Sequence, residues 1–375
     1  MPAYSALTSN AELPDPFMMM SGTRMTSQSQ WECRRAEIAA QLENYELGQK
    51  DPKPAGTVTG SVSGTTITVN VGGMSFTETI TLPTTGTAPY PAMIALDGGS
   101  LPASSITGKG VALISFDTNG MGDQSGSDRG AGFFFKVNGA DNGAGALVAW
   151  AWGVSRLIDA LEVTPAAKID PKHLGITGCS RNGKGALMIG ALDERIALTV
   201  PQESGSGGDA GWRTSDAELA ADGSGSVQSL GEIVGENTWF STALNQFASN
   251  HTAAKLPYDH HAILGLVAPR GLLDIENTSY EWLGVMSTTT DATAAQMIFQ
   301  GLGVVNNMGF TNSAHSHCVF NSAEAPYLDA FVGKFLLGQT NTTTNVWHVT
   351  STAWQNTSSM VDTSKWVNWT VPTLN

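Results

Sequence analysis

A serine at a sharp turn is the strongest chemical signal in this sequence. Residues 174–187 read as a short apolar strand, a glycine turn and a helix, with Ser180 at the turn. Such a turn exposes the hydroxyl above a sheet, and the N–H groups that open the helix, that of Arg181 first, can stabilise an oxyanion. The usual Gly-x-Ser-x-Gly pattern is imperfect, because Asn182 holds the place of the second glycine. These residues predict a serine nucleophile, and an ordinary serine that caps the helix is the alternative.

A serine nucleophile needs a general base, and the base needs an acid that orients it. After a serine in such a turn, the acid and then the histidine follow along the chain. Two of the seven histidines, His315 and His317, lie in a late loop, so both are candidates for the base. A metal site at His315, His317 and Cys318 is a weaker alternative, since no matching ligand cluster exists elsewhere. The remaining histidines are interpreted as core, loop or surface residues: His173, His251, His260, His261 and His348.

Three carboxylates compete for the role of the acid. Glu203 ends the predicted strand that follows the serine turn, while Asp274 and Glu276 belong to the next predicted strand. A carboxylate at the carboxyl end of a parallel strand can accept a hydrogen bond from the imidazole, because the functional groups of such sheets collect at that edge. The residues alone leave the choice between the two strands open.

The elements that must position these residues alternate between strand and helix. The patterns indicate strands over 92–97, 111–116, 174–177, 196–200 and 271–275, and helices over 31–47, 143–161, 184–191 and 325–336. Residues 56–82 read as two or three antiparallel strands. Trp150 and Trp152 are interpreted as core residues. The alternation predicts a mostly parallel sheet with helices on both faces, a three-layer sandwich, and the central serine turn is typical of the α/β-hydrolase fold.

Length and composition favour one catalytic domain over residues 1–375. A hydrophobic fraction of 41% and a charged fraction of 14% are typical of a compact globular chain. Residues 1–30 are polar and turn-rich, and we expect them to lie across the surface. No linker precedes residues 340–375, so we expect a closing segment rather than a carbohydrate-binding appendage, although the segment contains four tryptophans: Trp347, Trp354, Trp366 and Trp369.

The net charge of −14 argues against a nucleic-acid partner and against binding to anionic membranes. No run of about 18 apolar residues is present, so we expect no helix that spans a membrane. The N-terminus shows no signal peptide, which leaves a cytosolic protein or the mature form of a secreted one. Five Asn-x-Ser/Thr sequons fit secretion: Asn250, Asn277, Asn341, Asn356 and Asn368.

Two motifs together resemble a known family. The sequences GCSRNGK over residues 178–184 and VPQESG over residues 200–205 closely resemble the fungal-type glucuronoyl esterases of carbohydrate esterase family 15. The similarity extends from about residue 13 to residue 374. It implies a secreted, monomeric serine esterase, without cofactor or metal, that cleaves esters between the (4-O-methyl-)glucuronic acid of glucuronoxylan and lignin alcohols. The alternatives are a general carbohydrate or acetyl esterase or a lipase of the same fold, and a non-catalytic carbohydrate-binding protein.

The resemblance also implies the members of the site. The family joins the cysteines beside the nucleophile and the base, which are Cys179 and Cys318 here, and this pairing selects His317 as the base. The family motif selects Glu203 as the acid. Positions that bind the uronate ring in the family match four residues here: Lys184, Gln228, Glu236 and Trp282.

Two departures from the family concern cysteines. Cys33 lacks the upstream partner of the fungal relatives, so we expect a free thiol. A second family disulfide has no cysteine at either end, near Gly211 and near Asp291. Because both partners are missing together, the bridge expected at the catalytic site is unaffected.

Overall fold

The predicted catalytic residues belong to segments at the ends of strands in one large sheet. The structure is a computed structural model that describes residues 1–50, 57–140, 142–222, 225–248, 252–350 and 362–375. The strands of these residues are β1 (Thr59–Ser63), β2 (Thr66–Val71), β3 (Met74–Thr81), β4 (Tyr90–Leu96), β5 (Ala112–Phe116), β6 (Ile169–Cys179), β7 (Ile196–Gln202), β8 (Gly271–Asn277), β9 (Met308–Ser313) and β10 (Trp347–His348). They form one ten-stranded sheet in the order β1-β2-β3-β5-β4-β6-β7-β8-β9-β10.

Most of the sheet is parallel. The strands from β5 through β4 and β6 to β10 pair in parallel, while β1, β2 and β3 form antiparallel pairs that attach to β5. The five buried strands predicted from the sequence correspond to β4, β5, β6, β7 and β8. The antiparallel strands predicted over residues 56–82 are β1, β2 and β3. The carboxyl ends of β6, β7 and β8 therefore lie side by side at one edge.

Helices cover both faces of this sheet. They are α1 (Trp31–Leu42), α2 (Thr118–Met121), α3 (Phe133–Asn138), α4 (Ala146–Glu162), α5 (Arg181–Leu192), α6 (Trp212–Asp222), α7 (Leu230–Glu236), α8 (His260–Gly265), α9 (Val285–Gly301) and α10 (Ala325–Phe335). The larger hydrophobic core contains α4 and α5. A second core joins α10 to side chains from the other face, among them Leu198 and Leu273. This arrangement confirms the predicted three-layer α/β-hydrolase architecture.

Helix α4 is buried along nearly its whole length. Trp150 and Trp152 are both fully inaccessible to solvent, which confirms them as core residues. The indole N–H of Trp150 donates to the carbonyl oxygen of Gly122 at 2.9 Å, so its polar atom is satisfied inside the core. The tryptophan thereby fixes the start of the loop that follows α2 against the helix that precedes the serine turn.

The two ends of the chain meet each other. The first 30 residues lie mostly at the surface, but Leu13 and Phe17 are fully buried. The indole N–H of Trp369 donates to the carbonyl oxygen of Leu13 at 3.0 Å, and the rings of Trp369 and Phe17 are 6.0 Å apart. Near the C-terminus β10 extends the sheet beside β9. Trp354 and the sequons at Asn250 and Asn356 lie outside the described residues, as does His251.

None of the helices in the described residues is long and apolar enough to cross a membrane.

Candidate active site

Ser180 lies at the turn between β6 and α5. Its φ of 61° and ψ of −125° belong to a conformation that L-residues rarely adopt and that is typical of strained functional turns. Two glycines make the turn possible. A Cβ on Gly178 would lie 2.3 Å from the carbonyl oxygen of Asn182, and one on Gly183 would lie 2.4 Å from that of Gln202. The second glycine of the turn is therefore Gly183, one residue later than in the usual pattern.

Asn182 has a different task in this turn. Its side-chain N–H donates to Asp97 Oδ2 at 3.0 Å. Asp97 directly follows β4 and also accepts from the backbone N–H and the hydroxyl of Thr118, at 3.1 and 2.7 Å. The asparagine thus ties the serine turn to the end of the neighbouring strand, which a glycine at this position could not do.

A disulfide joins the serine turn to the late histidine loop. Cys179 and Cys318 are bonded, with their Cα atoms 5.7 Å apart, while Cys33 is a free and exposed thiol. The bridge places the residue before Ser180 against the residue after His317. Both Ser180 and His317 line one cavity of about 310 Å³, hereafter the smaller cavity.

His317 is held by Glu203. Its Nδ1 lies 2.6 Å from Glu203 Oε2, and the backbone N–H of Cys318 donates to Oε1 of the same carboxylate at 2.9 Å. The side-chain amide of Asn277 donates to Oε2 at 3.2 Å. Glu203 itself is only 2% exposed and directly follows β7. A buried carboxylate with both oxygens engaged can fix the orientation of the imidazole and stabilise its protonated form.

Two aromatic residues complete the support of His317. The backbone N–H of His317 donates to the Tyr280 hydroxyl at 2.9 Å. The Tyr280 and Trp282 rings lie 5.4 and 5.8 Å from the imidazole, both in edge-to-face arrangements. Neither Tyr280 nor Asn277 is predicted from the sequence as a residue of the site, because a lone tyrosine and a sequon carry no signal that points to a histidine 37 or more residues away.

The competing candidates take other positions. Nδ1 of His315 is 3.6 Å from Glu203 Oε1, and this histidine is hydrogen-bonded to the Asn277 amide at 3.1 Å. Glu276 accepts instead from the backbone N–H of Ser204 at 2.7 Å. Asp274 is fully buried on β8. Of these candidates, His317 lines the cavity that holds Ser180, and Glu203 is the carboxylate in hydrogen-bond contact with His317 Nδ1.

A larger cleft of about 510 Å³ also borders the serine turn. Ser180 and Arg181 line it, and so do all four residues that sequence similarity had suggested as sugar-binding: Lys184, Gln228, Glu236 and Trp282. The Gln228 amide donates to Glu236 Oε2 at 3.0 Å, and Trp282 is 39% exposed. An exposed indole beside paired polar groups is a surface on which a sugar ring can stack and form hydrogen bonds.

Part of the wall of the larger cleft was not predicted from the sequence. It includes Asn119 from α2, Gln124 from the segment after α2, and Trp239 from the segment after α7. The Trp239 indole N–H donates to the Gln124 side-chain oxygen at 2.7 Å. Nothing in the sequence pairs Gln124 with a tryptophan 115 residues later.

Lys184 forms the floor of the larger cleft. One turn into α5, it is only 3% exposed, its Nζ donates to the carbonyl oxygen of Ser204 at 2.5 Å, and it lies 5.6 Å from the centre of the Trp239 ring. Burial lowers the pKa of this ammonium to about 8, against the opposing attraction of Asp209, Glu276 and Glu236. Its charge is therefore sensitive to pH just above neutrality.

A cluster of three buried carboxyl groups lies next to this lysine. Asp209, Asp274 and Glu276 each place an oxygen within 4.8 Å of the others. Burial raises the pKa of all three, and repulsion by Asp209 raises those of Asp274 and Glu276 further. Oxygens so close could hold a cation, yet Lys184 already supplies positive charge, since both Asp209 and Glu276 attract its ammonium. The raised pKa of each carboxyl group and the neighbouring ammonium both reduce the negative charge of this cluster.

The sequon at Asn277 is not accessible for glycosylation in the folded protein. Its side chain is 1% exposed, and its amide bonds both Glu203 and His315. A glycan on this nitrogen would displace the carboxylate that holds His317. The exposed sequons at Asn341 and Asn368 carry no such constraint.

Comparison with known proteins identifies the family of this chain. The profile of the family described as glucuronyl esterase of fungi matches residues 65–303. A 4-O-methyl-glucuronoyl methylesterase from Schizophyllum commune is 48% identical, with 100% of this chain and 94% of the relative covered. One from Hypocrea jecorina is 46% identical, with 100% and 78% covered.

Solved structures of glucuronoyl esterases share the fold of this chain. The catalytic domain of a glucuronoyl esterase from Hypocrea jecorina superposes with a TM-score of 0.92 at 45% identity, over 100% of both chains. A serine-to-alanine mutant of a glucuronoyl esterase from Sporotrichum thermophile, in complex with methyl 4-O-methyl-β-D-glucopyranuronate, gives a TM-score of 0.89 at 42% identity, over 98% of this chain and 97% of that one. The fold and nearly the full length are shared with these enzymes, so this chain belongs to the glucuronyl esterase family of fungi, whose members are carboxylic ester hydrolases.

Proposed function

We propose that this protein is a serine esterase that hydrolyses the ester between the (4-O-methyl-)glucuronic acid of glucuronoxylan and a lignin alcohol. The observation that carries the proposal is the contact of 2.6 Å between His317 Nδ1 and the buried Glu203, beside a cavity that Ser180 also lines. The adjoining larger cleft, with its buried lysine and exposed indole, suits the uronate ring. The relative bound to a methyl ester of 4-O-methyl-glucuronate supports the substrate class.

The reaction follows from the roles of three side chains. Ser180 Oγ attacks the carbonyl carbon of the ester, and Nε2 of His317 takes its proton. The bond between that carbon and the alcohol oxygen breaks, and His317 gives the proton to the departing alcohol. Water then attacks the glucuronoyl-enzyme, with His317 as base and afterwards as acid, and releases the free uronic acid. Glu203 keeps the imidazole in one orientation throughout.

Charge develops on the carbonyl oxygen during both steps. The backbone N–H of Arg181, the first residue of α5, is free of helix hydrogen bonding by its position and can donate to this oxygen. Arg181 lines both cavities, and its guanidinium can add positive charge. Loss of one such donor typically costs about 3 kcal/mol of transition-state stabilisation.

The uronate ring is assigned to the larger cleft. Lys184 and the hydrogen-bonded pair Gln228 and Glu236 offer donors and acceptors to the ring hydroxyls, and Trp282 offers a stacking face. They act on the sugar and hence on substrate choice.

Hydrolysis of three esters tests the proposal. Benzyl glucuronate, an aryl acetate and a medium-chain acyl ester are compared at equal enzyme concentration. A kcat/KM that is highest for the uronate ester supports the proposal, whereas preference for acetate or for the acyl chain would indicate a general esterase of the same fold. A non-catalytic carbohydrate-binding protein would turn over none of them and would bind xylan equally well after Ser180→Ala.

We further propose that residues 1–375 act as one secreted, monomeric catalytic domain. The continuous sheet and the contact between the chain ends support a single unit. The disulfide beside the nucleophile supports an oxidising compartment, since such bonds persist mainly outside the cytosol. Gel filtration and the mass of the secreted product test these statements.

A further inference from the structure

Asn119 lines the larger cleft together with the residues that are proposed to hold the uronate ring. It is the second residue of α2, and the first, Thr118, donates from its backbone N–H and its hydroxyl to Asp97 at 3.1 and 2.7 Å. Asp97 also accepts from the side chain of Asn182 in the serine turn. The backbone that carries Asn119 is therefore tied to the turn that carries Ser180.

A chain of hydrogen bonds determines which way the Asn119 amide points. The indole N–H of Trp239 donates to Gln124 Oε1 at 2.7 Å, and Gln124 Nε2 donates to Asn119 Oδ1 at 3.0 Å. An indole nitrogen can only donate, so the atom of Gln124 that faces it must be the oxygen. The Gln124 nitrogen then faces Asn119, and the atom of Asn119 that meets it must again be an oxygen. One tryptophan thus fixes the orientation of both amides.

The nitrogen of the Asn119 amide is the end that remains for a ligand. Within the ranges that the structure describes, Asn119 Oδ1 is hydrogen-bonded and Nδ2 has no hydrogen-bond partner. The residue is exposed and belongs to the wall of the cleft. Two N–H groups are therefore available to a molecule bound there, and the atom that meets them must be an acceptor.

The oxygens of the proposed substrate differ in what they can bind. A hydroxyl group both donates and accepts, and the cleft already offers it a donor in Lys184 and an acceptor in Glu236. An ether oxygen only accepts. The substrate has two ether oxygens outside the sugar ring: that of the 4-O-methyl group and the glycosidic oxygen that joins the uronic acid to xylan. A volume of about 510 Å³ lies within the range of about 300–1,000 Å³ of small-molecule sites, so the cleft has room for either group.

We propose that Asn119 is a further substrate-binding residue, whose amide donates a hydrogen bond to an ether oxygen outside the sugar ring, in the methyl ether or in the glycosidic bond. Gln124 and Trp239 are positioning residues, since they act through the orientation of this amide. The inference rests on the proposed function and adds a residue that selects among glucuronate esters.

Three neutral esters test the assignment. They are methyl glucuronate, methyl 4-O-methyl-glucuronate, and the methyl ester of 4-O-methyl-glucuronic acid linked to xylotriose. Each step in this series turns one hydroxyl group of the simpler ester into an ether. The quantity measured is kcat/KM of each ester relative to that of methyl glucuronate, in the wild-type protein and in the variants.

Asn119→Asp keeps the shape of the side chain and an oxygen for Gln124 Nε2, but it turns an oxygen instead of N–H groups towards the cleft. This oxygen can accept from a hydroxyl group and repels an ether. The relative kcat/KM should therefore fall about tenfold at the step that introduces the ether which Asn119 holds. A fall that begins with the 4-O-methyl ester identifies the methyl ether, and a fall confined to the xylotriose ester identifies the glycosidic oxygen.

Gln124→Glu tests the chain of hydrogen bonds and leaves Asn119 in place. It keeps an oxygen for the Trp239 indole and replaces the N–H that faces Asn119 with a second oxygen. The Asn119 amide must then turn its nitrogen away from the cleft, so the same relative kcat/KM should fall. Asn70→Asp is the matched control, because Asn70 is an exposed amide that donates to the Thr59 hydroxyl on the neighbouring strand and belongs to neither cavity. It adds the same charge as Asn119→Asp and should leave the preferences of the wild-type protein unchanged.

The outcomes separate this inference from the proposed function. An equal change for all three esters in Asn119→Asp overturns the assignment, and so does an equal loss of preference in Asn70→Asp. A preference that persists in Gln124→Glu overturns the positioning role of Gln124. Should Asn119→Asp not fold, Gln124→Glu decides alone. If the wild-type protein hydrolyses none of the three esters, the proposed function is wrong and this inference falls with it.

Discussion

The ammonium of Lys184 donates to the carbonyl oxygen of Ser204, and Ser204 directly follows Glu203. The N–H and the hydroxyl of the same serine are bound to Glu276 and Asp209, at 2.7 Å each. The lysine that lines the larger cleft therefore contacts the residue next to Glu203, the carboxylate that we propose orients the general base. Because Ser204 also binds Glu276 and Asp209, a substitution of either carboxyl group should affect both Lys184 and Glu203.

Glu203→Gln should lower kcat by roughly 10³- to 10⁴-fold with little change in KM, because the carboxylate acts mainly on the protonated imidazole of the transition state. The neutral amide cannot stabilise that charge, and it turns an N–H towards either His317 or the Cys318 N–H. Steady-state kinetics on benzyl glucuronate measures the effect.

Glu276→Gln is the matched control for this prediction. It changes a buried glutamate on the next strand and keeps an oxygen for the Ser204 N–H. We expect a much smaller loss of kcat. The acid would instead be Glu276 of β8 if Glu203→Gln turned over normally while a folded Glu276→Gln did not.

Selectivity for uronate esters should fall as the pH rises through about 8. Burial depresses the pKa of Lys184 to about 8 from its ordinary value of 10.5, so the ammonium is complete below that pH and neutral above it. A neutral amine offers the sugar a weaker donor. The quantity to follow between pH 6.5 and 9.5 is kcat/KM for benzyl glucuronate divided by kcat/KM for an aryl acetate, since the ratio cancels effects on the shared catalytic groups.

Lys184→Met removes the charge and keeps most of the chain volume. The variant should show a low ratio that no longer depends on pH in this range. Equal losses of kcat/KM on both esters, at every pH, would instead make the lysine a structural element of the buried carboxyl cluster.

Removal of the disulfide by Cys179→Ser with Cys318→Ser should lower the free energy of unfolding by roughly 5 kcal/mol, less any strain in the native state, because the bridge closes a loop of 139 residues. Urea unfolding of the two proteins measures the difference. Alkylation of the unreduced wild type should label Cys33 alone. Label on Cys179 or Cys318 would show that the bridge is absent.

Asn277 should carry no glycan when the protein is secreted by a glycosylating host. The buried amide holds Glu203, so a chain that received a sugar there could not complete the site. Peptide mass mapping answers the question, with the exposed sequons Asn341 and Asn368 as internal references. A fully active protein with an occupied Asn277 would contradict the described geometry.

The central strands were predictable because they are apolar runs bounded by Gly or Pro. The residues at which these strands begin and end were less predictable. Strand β6 extends over Ile169–Cys179, well beyond the predicted 174–177, since its first half is partly exposed and carries polar residues that an apolar-run rule omits. Helix α5 begins at Arg181 rather than at Lys184, because the tight turn at Ser180 starts a helix even through poor helix formers.

Helix α9, over Val285–Gly301, was not predicted at all. Its threonines are weak helix formers because branching at Cβ restricts their rotamers. Inside the protein, the hydroxyls of Thr289, Thr290 and Thr293 donate to carbonyl oxygens four residues earlier. Packing therefore stabilises this buried helix, and the local hydrogen bonds satisfy threonine hydroxyls that would otherwise be buried without partners. Neither feature shows in a hydrophobic pattern.

Within the site, the serine turn could be found from residue types, but the choice of partners could not. Glu203 lies 2.6 Å from His317 Nδ1 and 3.6 Å from His315 Nδ1. A difference of this size depends on the path of one loop, which residue spacing does not encode. Family similarity was needed to choose between the two histidines.

The positions of the missing second disulfide are also adjacent in space. A Cβ on Gly211 would lie 2.6 Å from Asp291 Oδ1, and Asp291 accepts from the Thr214 hydroxyl at 2.5 Å and from the His261 N–H at 3.2 Å. A buried polar contact therefore occupies this place. The sequence showed that the cysteines were absent but not what replaces them.

The bridge between Cys179 and Cys318 has a topological consequence. It closes residues 179–318 into a covalent ring, and every residue to which we assign a part in catalysis or sugar binding belongs to that ring. If the backbone is cut once inside the ring, the Cys179–Cys318 bond still joins the two pieces, next to Ser180 on one piece and His317 on the other. A protease that cuts one loop of this enzyme therefore opens the ring without separating Ser180 from His317.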